Sequence, residues 1–358
     1  MYGAYDVRVE KANETPPLLA EHVLLDVEAV GICGSDLHYY KDGGIGSAKI
    51  DPQHPFVPGH EFSARLREGC DELGLEAGTR VAVDPALACG QCEWCRAAHE
   101  NLCPHVRFTG APPYNGALST APLSVHHSQV FAVPPHFSAV ETMMLEPLGV
   151  AIHAADLAAP RMLETVCVLG CGPIGLLMVQ LCRVAGVGHV IATDPVVARA
   201  EAARSLPART ELCAHEIAHS VDEVLELTNG RGVDLVIEAT NSPGGFEAAA
   251  QVARIGGRVV LVGIPDGNAY SSLTADLMRR KALCIKLSRR MGHVMPRAIE
   301  LVRHDKVDVA CIATHTFALE DAPDAFAAAA QANSGVGDGC IDGIPILKPV
   351  VTVTQDTS

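Results

Sequence analysis

Val166-Cys-Val-Leu-Gly170-Cys-Gly172-Pro173-Ile174-Gly175 is an apolar, β-branched run ending in a G-x-G-x-x-G turn, and Leu176 to Val184 continues it with helical periodicity. The pattern is strand, tight turn, helix. The first glycine allows the sharp turn, the second lets a pyrophosphate approach the backbone, and the third lets helix and strand pack closely with the phosphates at the helix N-terminus. Gly170, Gly172, Pro173, Ile174 and Gly175 are therefore expected at a dinucleotide. Nineteen residues past Gly175 the next apolar run, His189-Val-Ile-Ala-Thr, ends at Asp194. An acid there accepts the ribose hydroxyls of NAD and repels the extra phosphate of NADP. Arg199 is a further cofactor candidate and does not reverse that preference.

Outward from this turn, strands alternate with helices from about 148 to 288. Strands are expected at Thr165 to Leu169, His189 to Thr193, Val233 to Glu238, Arg258 to Gly263 and Leu283 to Leu287, an alternation that implies a parallel sheet covered on both faces. Residues 1 to about 147 read as β-rich, with runs such as Val23 to Val30 and Arg80 to Val83 between Gly and Pro turns, and with few helical signals. Beyond 288 the pattern is mixed: helical near Pro296 to Val302 and Ala322 to Ala332, β-like at Pro349 to Val353, and loop-like from Gly335 to Gly343. This last section is expected to rejoin the first domain.

The chain has 358 residues, enough for two domains with real cores, and a net charge of −15. Such an acidic balance disfavours nucleic acid or an anionic membrane and leaves a small molecule as the expected partner. The N-terminus lacks the basic start and apolar stretch of an export signal, so a cytoplasmic location is expected. Thr165 to Cys182 is long and uncharged, but its three glycines and proline suit the nucleotide fold better than a membrane span. Thirteen cysteines without an export signal argue against a disulfide scaffold and for metal binding and buried thiols.

Cys89-Gly-Gln-Cys92-Glu-Trp-Cys95, followed by Cys103, brings four thiolates into one loop, able to close a tetrahedron with no open position, as a structural zinc requires. An iron–sulfur centre would take the same four ligands. The surrounding residues are not basic, which sets aside a nucleic-acid zinc ribbon. In Pro58-Gly-His60-Glu61 two potential ligands are adjacent, but Ala64 stands where a zincin helix would need its second histidine. Gly43 to Gly46 lacks the Lys-Ser/Thr ending of a phosphate loop and reads as a turn. Taken alone, Cys33 and His38 in Gly31-Ile-Cys-Gly-Ser-Asp-Leu-His-Tyr-Tyr read as a buried thiol and an ordinary histidine. His126, His127 and His153 read as surface or core residues.

Together, Gly31 to His38, Pro58 to Glu61, the four-cysteine lobe and the 170 to 175 turn resemble the zinc-containing medium-chain alcohol dehydrogenases, from about Glu28 to Glu320. Tyr39, Phe108 with Pro112-Pro113, and Leu145-Glu146-Pro147-Leu148 resemble the polyol (sorbitol, xylitol, iditol) branch. The resemblance implies an α/β protein. A GroES-like catalytic domain at 1–147, completed by 289–358, would hold between its parts a Rossmann domain with a doubly wound parallel sheet at 148–288. It implies a catalytic zinc on Cys33 and His60, with Glu61 or Glu146 as third ligand, and a structural zinc on Cys89, Cys92, Cys95 and Cys103. Asp36 matches the acid that orients the metal-bound histidine. Ser35 and His38 match proton-relay positions, with Glu146 in the same path. Ser35, Tyr39, Phe108, Glu146 and Arg290 match positions facing the polyol, with Arg289 a second candidate for the arginine.

The implied reaction is NAD-linked oxidation of a secondary alcohol to the ketose by a dimeric or tetrameric enzyme, with Arg258 to Leu287 a candidate contact between copies. Met291, where the sorbitol pattern has tyrosine, and Ala111, where threonine is usual, each remove a hydroxyl from the presumed substrate site. Threonine, 2,3-butanediol and formaldehyde dehydrogenases share most of these motifs. A non-catalytic dinucleotide-binding protein would be expected to have lost the ligands.

Overall fold

The computed structural model describes residues 1–11, 19–206, 214–334 and 338–353. The first part of the chain contributes strands β1 (His22–Gly31), β2 (Glu61–Leu66), β3 (Arg80–Val83), β4 (Leu123–His126) and β5 (Val130–Ala132), with helix α1 (Gly34–Asp42) following β1. Helix α2 (Leu145–Ala158) then leads into β6 (Thr165–Leu169), α3 (Pro173–Val184), β7 (His189–Thr193) and α4 (Val197–Ser205). Strands β8 (Ala214–Ala218), β9 (Val233–Glu238), β10 (Ala253–Leu261) and β11 (Cys284–Leu287) follow. The chain continues through α5 (Met295–Arg303), β12 (His315–Ala318), α6 (Ala322–Asn333), the hairpin β13 (Cys340–Ile341) and β14 (Ile344–Pro345), and β15 (Pro349–Thr352).

Strands β6 to β11 form one sheet in the order β8-β7-β6-β9-β10-β11, every pair parallel. This is the doubly wound 3-2-1-4-5-6 order, whose ligand crevice lies at the carboxyl ends beside β6. The apolar run of β6 serves both faces. Val166 and Val168 join a core with α2, α3 and α5, while Cys167 and Leu169 join Val224, Ala249 and Val252 on the other side. That double burial is why the strand reads as continuously apolar.

The second sheet runs β12-β15-β1-β2-β3-β5, with β4 paired to β1. Here Leu25, Val27, Phe62, Leu66, Val81 and Val83 share one core. Strand β15 returns from the far end of the sequence to lie antiparallel to β1, with Ala29 opposite Thr352 and Gly31 opposite Val350. The last section thus completes the first sheet. Strand β13 falls within the stretch expected as a loop, Gly335 to Gly343, and β14 follows just after it; 335–337 lie outside the described residues.

Two elements depart from the sequence reading. Strand β8 is a sixth strand of the parallel sheet, unforeseen because Ala-His-Glu-Ile-Ala carries a single β-branched residue, and an edge position demands less burial. Helix α1 was hidden because Asp36, Leu37, His38, Tyr39 and Tyr40 are all buried, which erases the helical period. Its signal was a cap: the Cys33 N–H donates to Asp36 Oδ2 at 3.0 Å. Among the described residues no helix is long and apolar enough to cross a membrane.

Candidate active site

A cleft of about 970 Å³ lies between the two sheets, and residues of both line it. On the nucleotide side it meets Gly170, Gly172, Pro173, Ile174, Asp194 and Arg199. Gly172 caps α3 without a side-chain hydrogen bond, Pro173 opens the helix, and a Cβ on Gly172 would meet no protein atom within 4 Å. The space above the second glycine is therefore open, and the first N–H groups of α3 face it, as a pyrophosphate requires. Gly175 does not line the cleft. A Cβ there would overlap the carbonyl oxygen of Gly170, so this glycine acts through strand–helix packing rather than by ligand contact. Asp194 is fixed by its backbone neighbours: Cys171 N–H donates to Oδ2 and Val196 N–H to Oδ1, each at 2.8 Å. Each oxygen keeps a lone pair for a ribose hydroxyl.

Across the cleft, Cys33 stands at the N-cap of α1, and His60 and Glu61 stand at the start of β2. One ligand atom of each lies within 4.8 Å of the other two. His60 is oriented through its ring nitrogens, with Nδ1 3.5 Å from Asp36 Oδ1 and Nε2 3.3 Å from Ser35 Oγ. Asp36 Oδ1 is buried and has no other partner among the described residues, which favours the tautomer with the proton on Nδ1 and frees Nε2 as a ligand. Burial works to lower the pKa of His60, but Asp36 and Cys33 outweigh it and hold it well above its ordinary value. A thiol, an imidazole and a carboxylate gathered this way form a donor set suited to a divalent zinc ion.

Sequence reasoning missed Lys348. Its Nζ donates to both oxygens of Glu61, at 2.8 and 2.5 Å, and to the Ile32 carbonyl at 3.1 Å. Nothing local to Leu347-Lys348-Pro349 signals this role, because the partner is distant in sequence and is met only when β15 pairs with β1. Glu146, at the first turn of α2, is buried beside the site, and none of the described residues donates a hydrogen bond to it. Burial above all, then Glu61 and Asp84, pushes its pKa up to about 8, against the opposing pull of His60 and Lys348. Asp84, also unforeseen, lines the cleft and is itself pushed up to about 6 by burial.

Phe108 places its ring 5.4 Å from that of His60, and the Arg290 guanidinium lies 5.9 Å from the Phe108 ring centre. Tyr39, Arg289 and Met291 line the same cleft; Met291 is buried and packs towards Gly149 of α2. His38 Nδ1 is 3.2 Å from Asp42 Oδ2 and its Nε2 3.2 Å from the Ile264 carbonyl, whereas Ser35 turns to His60. Lys41 reaches Asp266 at 3.1 Å beside it, so α1 touches the nucleotide side directly. His126 and His127 stack near Glu21 away from the cleft, and His153 meets Asn101.

The four lobe sulfurs also lie within 4.8 Å of one another. Cys92 and Cys95 are 3.3 Å apart, Cys92 and Cys103 3.9 Å, and Cys89 and Cys95 3.9 Å. A tetrahedron of thiolates about 2.3 Å from a zinc has edges of about 3.8 Å, so the lobe fits that ion. The backbone N–H groups of Gln91 and Cys92 pull Cys89 down to about 6, whereas burial and the neighbouring thiols push Cys95 up to about 12.

Residues 20–135 match the alcohol dehydrogenase GroES-like domain, and residues 173–304 match the zinc-binding dehydrogenase domain. The chain is 33% identical to a sorbitol dehydrogenase of Bacillus subtilis over 92% of each chain. It is 33% identical to a probable D-xylulose reductase A of Aspergillus fumigatus over 90% of each. The NADH complex of an alcohol dehydrogenase from Escherichia coli CFT073 superposes with a TM-score of 0.79 at 27% identity, covering 95% of this chain and 94% of that one.

Proposed function

Because the chain belongs to the zinc-containing medium-chain dehydrogenases, a family of oxidoreductases, we propose that it oxidises a secondary hydroxyl of a sorbitol-, xylitol- or iditol-type polyol to the ketose with NAD. The observation that carries this reading is the convergence of Cys33, His60 and Glu61 on the cleft that the open Gly172 turn also faces. We assign 148–288 to the dinucleotide unit and 1–147 with 289–358 to the catalytic unit. Helix α2 runs unbroken past position 147, so Glu146 rides on the element that packs against α3.

Zinc held by Cys33 and His60 supplies a Lewis acid that lowers the pKa of a bound hydroxyl. Glu61 is the third protein ligand, because its carboxylate stands with the other two, while Lys348 balances its charge. Asp36 keeps the proton of His60 on Nδ1. Glu146 is the group that handles the substrate proton: burial favours its neutral form, and a cation at the donor set would pull its pKa down, so its proton occupancy follows the charge of the site. Ser35, its Oγ 3.3 Å from His60 Nε2, is the hydroxyl next to the donor set. Phe108 forms an apolar wall, and Arg290 rather than the more exposed Arg289 is placed to meet a second hydroxyl of a polyol. A polyol pairs with such groups where a simple alcohol leaves them unpaired, at a cost of roughly 1–3 kcal/mol each. The four-cysteine lobe holds a structural zinc. We also assign a cytoplasmic homo-oligomer, dimer or tetramer, joined along the outer edge of β11.

Steady-state rates with sorbitol, xylitol, ribitol, threonine, 2,3-butanediol and ethanol, each with NAD and NADP and before and after chelation, test the reading. A high kcat/KM on one polyol with NAD, lost on chelation, is expected. Turnover restricted to threonine or butanediol would overturn the polyol assignment, and turnover indifferent to complete zinc removal would overturn the mechanism.

A further inference from the structure

The adenosine end of the cleft is not built by the nucleotide unit alone. Arg199, in the first turn of α4, lines the cleft near Asp194 and is 9% exposed. Its Nη2 donates to Oδ1 of Asn333 at 2.8 Å, while its Nε is buried with no partner among the described residues. Asn333 is the last residue of α6 and itself lines the cleft. The rest of α6 is anchored elsewhere: Ala325, Phe326 and Ala329 pack into the core beneath α1, where Phe326 meets Tyr40 at 5.5 Å between ring centres. Just beyond, β14 packs on α4, and a Cβ on Gly339 would stand 3.1 Å from the Val196 side chain. A segment of the catalytic unit therefore walls the place where Asp194 meets the ribose.

We propose that Asn333 is a positioning residue for the coenzyme, holding the Arg199 guanidinium at the cleft wall that Asp194 also lines, so that the adenosine ribose meets groups already set. This rests on the reading of the cleft as an NAD site. Asp194 is fixed by two backbone N–H groups, but Arg199 has a long side chain with many rotamers and, among the described residues, no side-chain hydrogen bond other than that to Asn333. A side chain immobilised before binding does not have to be immobilised by binding, and each rotamer-rich side chain so treated changes affinity by about threefold to tenfold. The free Nε supplies a donor for a ribose oxygen once the guanidinium is held. Because the tether crosses from one unit to the other, grip on the adenosine half also depends on where α6 sits, far from the nicotinamide.

Titration of the zinc-loaded protein with NADH, followed by nucleotide fluorescence, tests this with four proteins: unaltered, Asn333→Ala, Arg199→Ala and the double variant. Asn333→Ala should raise the Kd for NADH about threefold to tenfold and raise KM for NAD without lowering kcat, and Asn333→Asp, which keeps the acceptor, should return Kd to within about twofold. In the Arg199→Ala background the Asn333→Ala change should cost little more, because the two residues act as one unit. An unchanged Kd in Asn333→Ala, or a loss of the same size in the Arg199→Ala background, would overturn the positioning role while leaving the NAD reading intact. Failure of the unaltered protein to bind NADH would remove both.

Discussion

Glu61 and Lys348 are 1% and 2% exposed, and charges so far from water persist only as a pair. Removing one partner leaves the other buried and uncompensated. Lys348→Met should therefore destabilise the fold by about 3 kcal/mol, and Glu61→Gln in the same chain should recover much of that loss. Denaturant unfolding of the two single variants and the double variant measures both; additive losses would mean that the pair is not the source. Cys33→Ala makes the complementary case, since the residue caps α1 with its backbone and brings only its sulfur to the donor set. Turnover should fall by at least 10³-fold while NADH still binds, as steady-state rates and a fluorescence titration would show, in keeping with the several kcal/mol that a Lewis acid supplies. The lobe cysteines stand out in the sequence by their spacing alone, whereas Cys33, with His60 and Glu61, is singled out as a ligand set only through the family resemblance. Lys348 and Asn333 could be found by neither route, because each takes its meaning from a partner more than a hundred residues away.

Among the elements, the turn between β6 and α3 divides its work so that two glycines should fail differently. At Gly172 a methyl group meets no protein atom and φ is −71°, which an alanine adopts freely. Gly172→Ala should unfold within about 1 kcal/mol of the unaltered protein, yet raise the Kd for NADH by about tenfold or more. At Gly175 the methyl group would strike the Gly170 carbonyl oxygen, and overpacking there should cost about 1–3 kcal/mol or more. Paired melts and NADH titrations separate the two, and a Gly172→Ala that bound NADH normally would put the pyrophosphate elsewhere. Strands β6, β7 and β9 could be read to the residue because burial on both faces leaves a mostly apolar, β-branched run, broken in β9 only by Asp234 before its closing Glu238. Helix α1 and strand β8 could not, one because the site occupies both its core and its cleft face, the other because an edge needs so little.

Across the whole molecule, charge is arranged to hold the parallel sheet at the end away from the cleft. Burial pushes Asp234 up, but Arg231, the Thr165 N–H and Arg254 outweigh it and hold its carboxyl well below the usual range. Because the folded-state pKa is the lower one, this stabilisation is complete above the unfolded value near 3.9 and disappears as pH falls through the folded value. Asp234→Asn should lower Tm at pH 7, and the gap to the unaltered protein should begin to narrow below about pH 4 and go on narrowing as pH falls towards the lower folded-state pKa; a gap of constant size throughout that fall would assign the effect to packing. At this scale the two sheets and their order could be read from alternation and turns. The contacts that join them, His38 to Ile264, Lys41 to Asp266 and Arg199 to Asn333, each depend on a surface that no local pattern encodes.

Strand β15 also sets a timetable. Gly31 and Val350 are register partners, so the sheet that carries Cys33 and His60 keeps an open edge until some three hundred further residues have been made. Synthesis at about 5–20 residues per second makes that wait roughly 15–60 s. Strands β6 to β11, contiguous in the sequence, can close in the meantime. The strands around the phosphate-facing turn are therefore all synthesised before the register partner of Gly31 exists, and a chain stopped before Lys348 leaves the Glu61 carboxylate without the cation that balances it.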